Sequence, residues 1–188
     1  MIPIFIAGPA VEPVTLGEMK TYLRLDDDDG TQDELIGGLV KAARLTVEAA
    51  SRKILIEQQW RVVLDTWPAG GTVLLPLSPL IAVERIAVTD AAGTAVDLPA
   101  GAYYTDLASD PPRVAILDPV QPGRARNGIS IALRAGYGTM AEAVPATLRL
   151  AIRILVAHWF ENRGDVVGEQ ILPPEAFALV APFQRARL

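Results

Sequence analysis

Apolar positions recur with a period near 3.6 at both ends of the chain and near 2 through its middle, so helices are expected to flank a β region. The longest helical run is residues 144–164, VPATLRLAIRILVAHWFENRG. Pro145 suits a first helical turn, and Gly164 suits the position just past a C-terminus. Wound at about 100° per residue, Leu148, Ala151, Ile152, Leu155, Val156, Trp159 and Phe160 fall on one broad apolar arc. Leu150, Ile154 and Ala157 make a second strip on nearly the opposite side, with Arg149, Arg153 and Glu161 as a polar stripe between them. A helix laid on a single core needs one apolar face. Two faces predict burial on both sides, within the fold or against another subunit.

The elements before this helix are marked as clearly. Pro3, Pro9 and Pro13 block helix formation and make residues 1–13 an extended arm. Thr15-Leu16-Gly17-Glu18 fits a capping box and opens a helix near 15–25 with Leu16, Met19 and Leu23 inward and Tyr22 beside them. Thr31-Gln32-Asp33-Glu34 opens a second, near 32–51. Its wide face is expected to carry Leu35, Ile36, Leu39, Val40, Ala42, Ala43, Val47 and Ala50, with Lys41, Arg44 and Glu48 toward water. Gly37 and Gly38 each cost about 1 kcal/mol relative to Ala in a helix interior, a cost that close approach by a neighbouring backbone would offset.

From Ile54 the alternation becomes strict. Ile56, Gln58, Trp60, Val62 and Leu64 alternate with Glu57, Gln59, Arg61 and Asp65. Further strands are expected at 72–75, 82–89, 94–98, 103–106, 113–117 and 129–135, punctuated by Pro and Gly at the spacing of a small antiparallel sandwich or barrel. A last helix near 174–187 carries Ala176, Phe177, Leu179 and Val180. The predicted fold is α+β. A helical core of residues 14–53 plus 139–188, with helices near 15–25, 32–51, 145–163 and 174–187, holds an inserted β domain at 54–138 and an N-terminal arm at 1–13.

Composition narrows the function classes. The 188 residues carry a net charge of −5, which argues against gripping nucleic acid by clustered Lys and Arg. With no cysteine, thiolate metal sites, disulfides and a cysteine nucleophile are excluded. The opening residues lack the basic region of a signal peptide, and no run reaches the roughly 20 apolar residues that span a bilayer. A soluble intracellular product with no membrane association is expected.

Candidate chemistry is sparse. The acidic run Asp26 to Asp29 before Gly30 invites comparison with a calcium loop. That register puts Leu25 and Ile36 where the motif needs Asp and Glu, so a solvated loop is expected. His158 is the only histidine, too little for a triad or a zinc site, and reads as a core or interface residue. Gly136 and Gly138 lack the third glycine of a dinucleotide fingerprint and read as an exit from the sheet. Arg124 and Arg126 read as solvated loop charge. No spacing singles out a carboxylate pair. No catalytic residue, metal or cofactor is expected, and a carboxylate-dependent enzyme is the least favoured reading.

Several stretches together resemble the tailed-phage head–tail connector (adaptor) proteins. These are Val14 to Asp26 with the acidic patch, Asp33 to Lys53 leading to Gln58-Gln59-Trp60, and Leu75 to Leu80. Ala135 to Gly138, Val144 to Arg163 and Leu179 to Arg185 complete the set. The likeness is to the longer branch, with a β insertion, which also occurs in prophages and gene transfer agents. It implies a structural virion protein at the head–tail junction: a ring, usually of twelve copies, between the portal protein and a stopper or tail-completion protein, with DNA passing through a central channel without specific binding. The alternative is another head-completion or tail-terminator component. The resemblance makes the C-terminal segment, with Phe177, Leu179, Phe183, Arg185 and Arg187, the candidate portal contact. The second apolar strip, Leu150, Ile154 and Ala157 with His158, is the candidate subunit interface, with the Ile36 to Val47 face of the second helix as the other candidate.

Overall fold

The computed structural model describes residues 1–162 and 172–184. Its elements follow the order of the hydrophobic pattern. Strand β1 (Pro3–Ala7) precedes helices α1 (Leu16–Leu23) and α2 (Asp33–Ser51). Seven strands follow: β2 (Gln58–Leu64), β3 (Thr72–Leu74), β4 (Leu80–Thr89), β5 (Ala95–Asp97), β6 (Tyr103–Asp106), β7 (Arg113–Ile116) and β8 (Ile129–Ala135). Helices α3 (Ala146–Glu161) and α4 (Pro174–Val180) close the order. The fold class is α+β.

The chain divides into two compact units. One joins Met1–Pro9 to Glu57–Tyr137, and the other joins Ala10–Ile56 to Gly138–Leu188. The first contains two antiparallel sheets, a five-stranded one in the order β1-β2-β8-β4-β5 and a three-stranded one in the order β3-β7-β6. Strand β8 lies at the centre of the larger sheet, and its odd positions Ile129, Ile131, Leu133 and Ala135 are all buried while Ser130, Ala132 and Arg134 are not. That alternation pins the register against β2 on one side and β4 on the other, because a one-residue slip would turn the whole apolar set outward. In the smaller sheet Val73, Val114 and Ile116 are buried. Trp67 adds its ring to this unit's core and donates from Nε1 to the Val120 carbonyl at 2.8 Å.

Two expectations need correction here. Residues 1–13, read as a separate arm, divide between the units, and Pro3–Ala7 pairs with β2 as an edge strand. Proline is tolerated at the first residue of an edge strand because no ladder bond is asked of its missing N–H. Phe5 then rests edge-on against Trp60, with ring centroids 5.2 Å apart. Helix α2 also turns differently from its expected face. Arg44 and Glu48 are buried, at 3% and 8% exposure, whereas Leu35 and Ala42 are exposed. The Arg44 guanidinium bonds Glu48 at 2.9 Å and Glu12 at 2.7 Å, and Glu48 accepts the Leu55 amide at 2.9 Å. Glu12 and Leu55 lie beside two of the points where the chain passes between units. The buried pair therefore anchors both passages within the helical unit.

Candidate functional site

The helical unit is built on α3, and its three faces do three different things. Leu148, Ala151, Ile152, Leu155 and Val156 are buried, and Trp159 and Phe160 are half-buried. The polar stripe docks α1. Arg149 donates to Glu18 at 2.6 Å and to the Pro13 carbonyl at 2.9 Å, and Arg153 donates to the same Glu18 oxygen at 2.9 Å. Glu18 also accepts the Thr15 amide at 2.9 Å, closing the capping box that starts α1. Burial pushes the Glu18 carboxyl up, but the Thr15 amide and the two guanidiniums outweigh it and hold the carboxyl below its ordinary range. One carboxylate thus caps one helix and fastens it to another.

The third face is only partly covered. Leu150 is 38% exposed, Ile154 and Ala157 are half-buried, and His158 is exposed. All four interface candidates lie on this side of α3. His158 is a surface residue rather than a core one, and the Asn162 amide donates to its carbonyl at 2.8 Å. Among the described residues, no group of three or more His, Asp and Glu side chains could hold a metal ion, and no helix is long and apolar enough to cross a membrane.

The C-terminal candidates are less tightly grouped. Ala176 and Val180 bury α4, leaving Phe177 50% exposed and Leu179 half-buried. Two residues apart on a helix, these side chains diverge by about 200° and do not form one face. A 3-10 turn, Ala181–Phe183, follows Val180, and Phe183 is half-buried. Pro182 cannot donate a helical bond, which accounts for the helix stopping short of its expected end. Gln184 donates to the Ala50 carbonyl at 3.1 Å, tying this segment to the end of α2. Arg185 and Arg187 lie outside the described residues.

The acidic loop is organised around a buried cation of the chain itself. Lys20, only 4% exposed, donates from Nζ to the Asp27 carbonyl at 2.9 Å and pairs with Asp33 at 2.8 Å. The hydrogen bond to Asp33 is the main cause that holds the Lys20 ammonium above its ordinary range. At the other motif set aside in the sequence, Gly136 has φ +139°, a conformation that glycine reaches readily, where the chain leaves β8.

Residues 13–94 match the model of the family described as phage gp6-like head–tail connector proteins. Over these residues the chain is similar to the head–tail connectors. Three solved structures extend the likeness over all of this chain and 97% of each matched chain. They come from the neck of an empty gene transfer agent particle computed with C6 symmetry (26% identity, TM-score 0.82), the virion of a native gene transfer agent particle (26%, 0.84), and the neck of a native particle computed with C12 symmetry (25%, 0.76). Comparison with curated protein sequences finds no match.

For a chain of this likeness the candidate sites are surfaces rather than a pocket, and their features were legible in the sequence to differing degrees. The partly covered strip of α3 follows directly from helical period. The Lys20 cluster drew no reading in the sequence, and the Arg44 cluster was missed because Arg44 and Glu48 were assigned to water by type. The available signal was position. Arg44 lies on the arc that Val40, Ala43, Val47 and Ser51 bury, and Glu48 follows it at i+4, the spacing at which opposite charges meet on a helix.

Proposed function

We propose that this connector closes with copies of itself into a ring, of twelve subunits, at the head–tail junction of a phage or gene transfer agent particle. The ring sits between the portal and a stopper or tail-completion protein and leaves a channel for DNA. The observation that carries this reading is the likeness over the whole chain to the neck of a particle with C12 symmetry, joined to the connector match over residues 13–94. The role is mechanical, and no catalytic step is assigned to any residue.

Two physical features support it. A ring subunit needs side-to-side contacts beyond its own core, and the Leu150, Ile154, Ala157 and His158 side of α3 is available for one. The net charge of −5 also suits a passage through which phosphates slide, since long-lived DNA binding needs neutralising Lys and Arg.

The portal contact is assigned to α4 and the residues after it. Phe177 presents an aromatic side chain outward from a helix that Ala176 and Val180 hold in place. Full-length protein and a chain ending at Leu172 are compared for co-assembly with the portal protein encoded nearby. Full-length protein is expected to form a stable complex and the truncated chain to lose it. Equal binding by both would overturn the portal assignment, and absence of binding by full-length protein would overturn the connector role itself.

A further inference from the structure

Resting on the ring reading, we propose that the α3 strip of one subunit packs against the outer face of α2 in the next copy. Leu35, Gly38, Ala42, Leu45 and Ala49 share one side of α2, roughly opposite Ile36, Val40, Ala43 and Val47. All five are exposed, with Leu35 at 41% and Leu45 at 52%. The α3 strip likewise lies opposite the buried arc of its own helix. Both helices spend their inner faces on the same core; the outer face of α2 is exposed at all five positions, and on α3 Leu150 and His158 are exposed while Ile154 and Ala157 are partly covered.

A second copy of the chain is the occupant these faces fit. A ring contact is heterologous, so each subunit must carry two unlike surfaces that match one another. The two helices present such a pair. A Cβ built at Gly38 meets nothing within 4 Å, so this part of the α2 face is open and carries no side chain, whereas the α3 strip presents Leu150 with Ile154 beside it. Helix axes approach more closely where contact side chains are small, which accounts for Gly38, whose position no contact among the described residues explains. The flanking charges are opposite as well. Lys41 borders the α2 face and Glu161 ends the α3 strip, both exposed and neither in an ion pair among the described residues. Glu34, also near the α2 face, lies in the first turn, where its charge favours the helix N-terminus.

The cysteine-free sequence allows a direct test on full-length protein. Leu45→Cys and Ile154→Cys variants are assembled into rings singly and as an equal mixture, alone or on the portal, then treated with a bismaleimide. Cross-linked dimers are expected from the mixture and not from either variant alone. Rings that yield no more dimer from the mixture than from the single variants would overturn the pairing. Gly38→Leu separates assembly from folding. It replaces glycine with a strong helix former in open space, so the melting temperature should hold or rise while the concentration needed for ring formation rises at least tenfold. Unchanged ring formation would also overturn the pairing. If the unmodified chain forms no ring even on the portal, the ring reading fails first and this pairing falls with it.

Discussion

Arg44 shows how one buried charge can govern a fold. Its guanidinium neutralises Glu48, which in turn holds the Leu55 amide, and it reaches Glu12 on the incoming chain. Removing one partner of a buried pair leaves the other desolvated and unpaired, at a cost of about 3–5 kcal/mol. Arg44→Met is therefore expected to lower unfolding free energy by about that amount in urea titration. A loss below about 1 kcal/mol would mean that the pair is dispensable. Glu18 makes a different prediction because its carboxyl is held below the ordinary range. Its contribution is complete above the unfolded value, near 4.5, and is lost as pH falls through the folded value. Glu18→Gln should thus destabilise at neutral pH by about 1 kcal/mol, the modest figure expected for a half-exposed pair screened by solvent. The difference from the parent chain should shrink below pH 4.5. A pH-independent difference would remove the carboxylate from the account.

At the scale of elements, the partly covered strip of α3 carries its own prediction. Leu150→Glu together with Ile154→Glu is expected to leave the circular dichroism spectrum and cooperative melting of the monomer intact while abolishing assembly. Unfolding would place the strip in the core instead. The elements were legible in the sequence to differing degrees, for physical reasons. Strand β8 declared itself because both neighbours force a strict alternation, buried at Ile129, Ile131, Leu133 and Ala135. Helix α1 declared itself because Thr15 and Glu18 satisfy each other's backbone within four residues. Strand β1 did not, since a short proline-containing segment becomes a strand only when β2 offers it an edge. The outer face of α2 was misread for a related reason. Leu35 and Ala42 look like core residues by type, and only the burial of Arg44 and Glu48 fixes which way the helix turns. Local periods state that a face exists; which apolar face is covered depends on partners distant in the chain or outside it.

At the scale of the whole molecule, the central claim is that an acidic α+β subunit with two outward apolar helix faces builds a channel between head and tail. The match over residues 13–94 and the full-length structural likeness support a ring-forming connector, while the channel, the portal contact and the subunit pairing are proposals. The most direct measurement is electron cryo-microscopy of the full-length protein bound to its portal. The account predicts twelve copies in one ring around an open axial channel, with α4 on the portal side. Isolated subunits scattered on the portal, or a closed disc without a channel, would contradict it.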